Sequence, residues 1–223
     1  MEFSVKLLKK EQLTHDVVRM TLERPKDYFF SAGQGIDFKL PDIPAVKEKV
    51  SPFTFTGLNS EEHLQLTTKC YVSHHGITEQ ILNTLKVGDR IVISEPFDTV
   101  ALKGPGVFIA GGTGVTPFIA ILRQLKTEGK LAGNSLFFFN KTKADTFMDD
   151  EFRSMLGSNF HPVLSNENVA GYLHGLVNAD FLKQHISNFK QPFYTCGPEG
   201  FVKAVKNALV QLGASESMID VQF

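Results

Sequence analysis

Residues 107–118 read Val107-Phe108-Ile109-Ala110-Gly111-Gly112-Thr113-Gly114-Val115-Thr116-Pro117-Phe118. The apolar run 107–110 reads as a buried strand. Gly111, Gly112 and Gly114 follow it, and glycine lets a backbone take positive φ and come close to a ligand. Pro117 suits the first turn of a helix. N–H groups exposed at such a helix start favour an anion, for example a pyrophosphate. The spacing is neither that of a P-loop nor the Gly-x-Gly-x-x-Gly of dehydrogenases. A tight strand-to-helix turn with no ligand gives the same pattern, so the stretch fixes a strand–turn–helix unit before it fixes a function.

Downstream the alternation continues. Strands are expected at 135–139, 161–164, 192–195 and 218–221, with helices at 117–125, 149–156, 179–185 and 199–212. Strand–helix alternation means a parallel sheet with helices on both faces. A second turn, Tyr194-Thr195-Cys196-Gly197-Pro198-Glu199-Gly200-Phe201, again leads from strand to helix. Cys196 falls at the carboxyl end of its strand, and ligands of open α/β sheets bind beyond those ends. A lone cysteine is equally a small buried hydrophobe.

Upstream the pattern differs. Short β-prone runs around Val17, Met20 and Leu22, and at 35–40, 52–56, 63–69 and 90–94, are punctuated by Gly, Pro, Asn and Asp. They predict an antiparallel sandwich or barrel. One helix interrupts them, at 78–85, with Ile81, Leu82 and Leu85 at helical spacing. The change of pattern near residues 102–105 divides the chain into 1–102 and 103–223. Within the first part, Ser51-Pro52-Phe53-Thr54-Phe55-Thr56 alternates ring and hydroxyl, which suits a heteroaromatic ligand or a half-buried strand. His74-His75-Gly76-Ile77-Thr78 precedes the helix, where Thr78 is either part of an anion site or simply an N-cap. The adjacent histidines lack the i,i+4 spacing of helical metal ligands, and no metal is expected.

Bulk properties exclude several classes. A net charge of -1 and a pI of about 6.7 give no basic bias toward nucleic acid or anionic membranes. Two cysteines, Cys70 and Cys196, cannot hold a four-thiolate iron–sulfur cluster. No apolar run is long enough to span a bilayer and the first residues lack a signal-peptide core, so a cytoplasmic setting is expected.

These segments, in this order, resemble the ferredoxin–NADP reductase superfamily. Gly111-Gly112-Thr113-Gly114-Val115-Thr116-Pro117 and Cys196-Gly197-Pro198 are similar to its two nucleotide turns. Gly76-Ile77-Thr78 is similar to its flavin-phosphate segment, and Pro52-Phe53-Thr54 follows the position of its flavin-motif arginine. The resemblance implies an N-terminal antiparallel flavin-binding β-barrel (1–102) followed by a Rossmann-like parallel α/β NAD(P)-binding domain (103–223). It implies an NAD(P)H-dependent flavoprotein reductase that hands electrons to flavodoxin, ferredoxin or an oxygenase component. FAD is the implied cofactor, with FMN as alternative, and NADH or NADPH the substrate. Phe53 would lie against the flavin ring, Thr54 would bond near the hydride-accepting nitrogen, and Gly76, Ile77 and Thr78 would hold phosphate. Gly112, Thr113, Gly114, Thr116 and Pro117 would receive the nucleotide, Cys196, Gly197 and Pro198 would border the nicotinamide, and Phe223 would be the terminal aromatic. Pro52 would join Phe53 and Thr54 at the flavin, and Thr54 and Cys196 would be the catalytic residues.

Three departures carry consequences. The family's arginine is Ser51 here, with Lys47 and Lys49 as the nearby cations. The carboxylate expected before the terminal aromatic is Val221, with Asp220 one residue earlier. The stretch Leu164-Ser165-Asn166-Glu167-Asn168 holds an anion and no arginine, which favours NADH, while Lys141 and Lys143 keep NADPH open. Ser51 and Val221 also leave room for an accessory subunit that keeps the fold with weak flavin binding.

Overall fold

The computed structural model describes residues 1–71 and 75–222. They group into two compact units, Met1–Thr99 with Thr116–Gln124, and Val100–Val115 with Leu125 onward.

The first unit contains β1 (Glu2–Gln12), β2 (Val17–Leu22), β3 (Gln34–Lys39), β4 (Ser51–Thr54), β5 (Leu64–Lys69), α1 (Ile77–Asn83), β6 (Arg90–Ser94) and β7 (Phe97–Asp98). The strands pair antiparallel in the order β4-β3-β6-β1-β2-β5, with β7 added beside β3. Just past β4, Phe55 bridges Leu66 of β5 and the Thr56 N–H donates to the Gln65 carbonyl at 2.8 Å. This contact nearly closes the sheet into a barrel, the antiparallel architecture expected for this half.

The barrel core follows from strand alternation. Val5 and Leu7 of β1 point inward between exposed Lys6 and Ser4. Met20, Leu22, Ile36, Phe38 and Ile93 join them with no exposed surface. Each such side chain contributes about 1.5–3 kcal/mol by leaving water.

Helix α1 is fixed at both ends. Ile77 and Ile81 enter the barrel core. At its C-terminal end Lys10 donates to the Leu82 and Leu85 carbonyls at 2.9 and 3.0 Å, a cation at the negative end of the helix. Burial draws the Lys10 pKa below its ordinary value. The helix starts one residue earlier than the sequence pattern predicts. Gly76 is the N-cap, without a side-chain bond, and the first helical residue is the buried Ile77. Thr78 is therefore not the cap; its hydroxyl accepts from the Tyr71 N–H at 3.4 Å.

The nine residues Thr116–Gln124 join this unit for a visible reason. The Thr54 hydroxyl donates to that of Thr116 at 3.2 Å. Arg123 donates to the Thr56 carbonyl at 2.6 Å and to Gln65 Oε1 at 2.9 Å.

The second unit is built on β8 (Val107–Gly111), β9 (Ser135–Asn140), β10 (Phe160–Leu164), β11 (Leu173–His174), β12 (Phe193–Cys196) and β13 (Ile219–Gln222). The helices along this part of the chain are α2 (Thr116–Thr127), α3 (Asp149–Leu156), α4 (Ala179–His185) and α5 (Glu199–Gln211). All strand pairs are parallel, in the order β11-β10-β9-β8-β12-β13. From β8 the sheet grows outward in one direction to β11, then returns to the other side of β8 for β12. Val107, Ile109, Phe137 and Phe139 pack with Phe181, Leu182, Val205 and Leu209 of α4 and α5 on one face. Phe138 meets Phe152 of α3 on the other. The expected parallel α/β architecture with helices on both faces is borne out.

Candidate functional site

The two glycine turns read from the sequence leave neighbouring strands. Ala110 of β8 stands opposite Cys196 of β12, the pair at which the strand order reverses. Open α/β sheets bind ligands at the carboxyl ends flanking such a reversal. Gly111 ends β8, Gly112–Val115 form a 3-10 turn, and Thr116 and Pro117 open α2. Gly197 follows Cys196, and Pro198 is the N-cap of α5.

Gly114 locks the two turns together. A Cβ there would lie 2.2 Å from the Cys196 carbonyl oxygen and 2.5 Å from the Gly197 nitrogen. Gly112 is the opposite case. Its φ is +55°, and a Cβ would meet nothing within 4 Å. The turn is thus closed toward β12 at Gly114 and open at Gly112.

Beside this turn, on the last residue of β9, Asn140 Nδ2 is buried without a hydrogen-bond partner among the described residues. An unmet amide donor next to an open glycine turn fits a phosphate- or ribose-bearing ligand, whose oxygens accept.

Cys196 is 8% exposed. Burial pushes its thiol up to about 12; the Gly197 backbone opposes the shift and the Asp220 carboxylate adds to it. Burial thus favours the neutral thiol of Cys196 at physiological pH. Asp220 stands opposite Tyr194 across the β12–β13 register and receives a hydrogen bond from Gln222 at 3.0 Å. Gln222 itself stands opposite Cys196. Phe223 lies outside the described residues.

The thiols predict an alkaline signature. Burial also lifts Cys70, to about 11. Both groups keep their protons in the folded state above the ordinary value of 9.0. Their contribution to stability is full below pH 9 and lost as pH rises through the folded values. The urea midpoint is expected to fall above pH 9, and to fall less steeply in Cys196→Ala. Parallel pH profiles for the two proteins would remove Cys196 from this account.

The barrel residues gather around β4. Thr54 is half-buried and reaches Thr116 as described above. Phe53 stands opposite buried Ile36 and meets Phe38 edge-on at 5.1 Å, so its ring is shared with the core. Pro52 is exposed. Lys49, flagged above only as a nearby cation, donates to the His75 carbonyl at 2.7 Å, one residue before Gly76. A cation beside a helix start that has no side-chain cap fits a phosphate. The contacts of Asn140, Arg123 and Gln65 went unread in the sequence.

The family model for the oxidoreductase NAD-binding domain matches residues 108–207. The chain is 30% identical over 241 residues to NADH-cytochrome b5 reductase 1 of Emericella nidulans, covering 95% of this chain and 74% of that protein. It is 27% identical over 214 residues to the ferredoxin–NAD(P)(+) reductase component of a Ralstonia naphthalene 1,2-dioxygenase/salicylate 5-hydroxylase system. That match covers 91% of this chain but only 63% of the relative, and a Pseudomonas putida counterpart is covered to 65%. A ferredoxin NADP+ reductase from Neisseria gonorrhoeae superimposes with a TM-score of 0.86 at 17% identity, over 99% of this chain and 98% of that one. The chain belongs to the ferredoxin–NADP reductase superfamily.

Proposed function

We propose that this chain is an NAD(P)H-dependent flavoprotein reductase, with flavin on residues 1–102 and the nicotinamide nucleotide on residues 103–223. The observation that carries this reading is the arrival of both glycine turns at the strand-order reversal, interlocked at Gly114. The reductase names of the relatives support it. A flavin supplies hydride acceptance and electron release; the protein supplies position and electrostatics. Gly112, Thr113 and Gly114 bring backbone N–H groups to the dinucleotide, with Thr116 and Pro117 shaping the helix start. Cys196, neutral and small, borders the nicotinamide with Gly197 and Pro198 and puts no negative charge beside it. Thr54 keeps a hydroxyl on the flavin side, oriented by Thr116. Gly76, Ile77 and Thr78, with Lys49, hold the flavin phosphate.

FAD is the cofactor of this reading, with FMN the second choice. The acceptor is a ferredoxin, a flavodoxin or an oxygenase component, after the oxygenase-system relatives. A cytoplasmic setting completes it; both cysteines are free thiols, and among the described residues no helix is long and apolar enough to cross a membrane. The test is spectroscopic. Protein incubated with FAD or FMN and desalted should keep a yellow chromophore that bleaches anaerobically with NADH. A chain that takes up neither flavin would instead be an accessory subunit, the reading that Ser51 and Val221 favour.

NADH is the preferred nucleotide. Glu167 follows β10, and its carboxylate accepts from the Lys143 N–H at 2.8 Å. Its backbone carbonyl is held by His174 at 2.9 Å. The anion is thus anchored at the carboxyl end of the sheet, where a 2′-phosphate would meet like charge. Glu167→Arg should raise kcat/KM for NADPH relative to NADH by about tenfold, the effect of about 1.4 kcal/mol. A wild-type chain already selective for NADPH would show that Lys141 or Lys143 reads the phosphate.

A further inference from the structure

Among the described residues three buried side-chain atoms have no hydrogen-bond partner: Arg19 Nε, Asn140 Nδ2 and Thr195 Oγ1. Thr195 shares the strand face of Phe193, which packs in the α4–α5 core, and Arg19 lies on β2 of the barrel. Asn140 differs, because it ends a parallel strand at the ligand-binding edge of the sheet.

Its surroundings are specific. Asn140 is 9% exposed, so its amide is not served by bulk water. Its backbone is in use: its carbonyl accepts from the Ser165 N–H at 3.0 Å, and it stands opposite Leu164 of β10. The side-chain Nδ2 donor is left without a partner among the described residues. Phe138, two residues earlier, meets Phe147 and Phe152, and strand alternation puts Asn140 on that same face. Cys196, Ala110 and Phe138 form one register row across β12, β8 and β9. Asn140 lies two residues beyond that row on β9, the next position on the same face, and β9 packs against the Gly112–Val115 turn. The space at Gly112 is open on the scale of a methyl group.

We propose that Asn140 is a nucleotide-binding residue, its Nδ2–H held for an oxygen of the adenosine diphosphate half of the nicotinamide nucleotide. This rests on the nucleotide reading above. Sheet order selects the half: β9 and β12 lie on opposite sides of β8, so with the nicotinamide at Cys196, as the nucleotide reading has it, the remainder of the dinucleotide falls on the β9 side. Donor chemistry selects the atom, since an amide nitrogen only donates and diphosphate and ribose oxygens accept. An unmet buried donor costs stability and persists where function uses it.

That cost gives a signature that a packing role lacks. Replacing the amide by an apolar group of similar size removes a desolvated donor, so the free protein should be as stable or more stable. The probe is ADP-ribose, which carries the diphosphate and no nicotinamide, titrated calorimetrically into wild type, Asn140→Leu and Asn140→Asp, with urea midpoints measured without ligand. Asn140→Leu is expected to keep or raise the midpoint and to bind ADP-ribose at least tenfold more weakly. Asn140→Asp, which keeps the shape but puts an anion toward a diphosphate, is expected to bind more weakly still. Wild-type affinity in both variants would overturn the proposal. So would a loss of stability in Asn140→Leu with unchanged binding in Asn140→Asp, because the side chain would then be structural. A wild-type chain that does not bind ADP-ribose fails the nucleotide reading itself, which separates the two failures.

Discussion

Gly114→Ala is expected to lower the rate of flavin reduction by NADH at least a hundredfold and to destabilise the chain. The added Cβ would stand 2.2 Å from the Cys196 carbonyl oxygen, 2.4 Å from its carbon and 2.5 Å from the Gly197 nitrogen. All three are backbone atoms, so no rotamer relieves the overlap. One of the two turns must move by about 1 Å to restore ordinary contact, and a displacement of that size near a reacting pair costs roughly 10²-fold in rate. Overpacking of this kind costs about 1–3 kcal/mol, and occasionally more. Gly112→Ala is the control. It has room for a methyl group but a φ of +55°, so it carries only the left-handed strain of roughly 1–2 kcal/mol. Stopped-flow reduction and urea midpoints on both variants check the ordering. A Gly114→Ala chain that reduces flavin at the wild-type rate would mean that the turns need not interlock for catalysis.

That prediction begins from glycines visible in the sequence, but their unequal roles were not. Gly111, Gly112 and Gly114 read alike as permissive positions. Only the strand order shows that Gly114 faces the Cys196 turn while Gly112 faces open space. The parallel half was legible because its strands are continuous apolar runs; α3 and α4 start and stop where the periodicity places them. Strand β1 was harder. Lys6, Lys9, Lys10 and Glu11 dilute its apolar content, and the alternation of Val5 and Leu7 is too short to stand out. The two-residue strands β7 and β11 have no periodicity to read. Their pairing is set by neighbours, as propensity on such short pieces must be.

The site was legible where it consists of backbone and obscure where it consists of side chains. Glycine and proline announce a turn by their own conformational limits. Thr54 and Thr116 are sixty-two positions apart, and nothing local in either predicts their hydrogen bond. Asn140 carried a local hint, a polar residue closing Leu136-Phe137-Phe138-Phe139. A polar strand end is common, however, and only its missing partner makes it informative. Thr78 shows the reverse case: a hydroxyl near a helix start can be read as a cap, but the helix begins at Ile77 with Gly76 as its N-cap.

Lys49→Ala is expected to weaken flavin binding about tenfold, and Ser51→Arg in that background to restore it. The family pattern puts an arginine at position 51, where a guanidinium pairs bidentately with phosphate. Ser51 cannot supply that charge. Lys49 is exposed, and its ammonium group is already held at the His75 carbonyl, 2.7 Å away. That places a positive charge one residue before Gly76-Ile77-Thr78. An ammonium group has three donors, so the bond to His75 leaves others for an anion. Glu79 pulls the other way: in the first turn of α1, it pairs with His75 at 3.1 Å and adds negative charge beside the phosphate segment. An exposed lysine is a screened point charge on a flexible stem, so the effect should be about tenfold, the low end for a charge-assisted contact. Screening supplies the second readout. Raising salt should weaken flavin binding by wild type and by the Ser51→Arg rescue, and should affect Lys49→Ala much less. Titration of FAD and FMN into the three proteins at low and high ionic strength measures both quantities. Equal affinities and equal salt slopes for wild type and Lys49→Ala would show that backbone donors alone hold the phosphate.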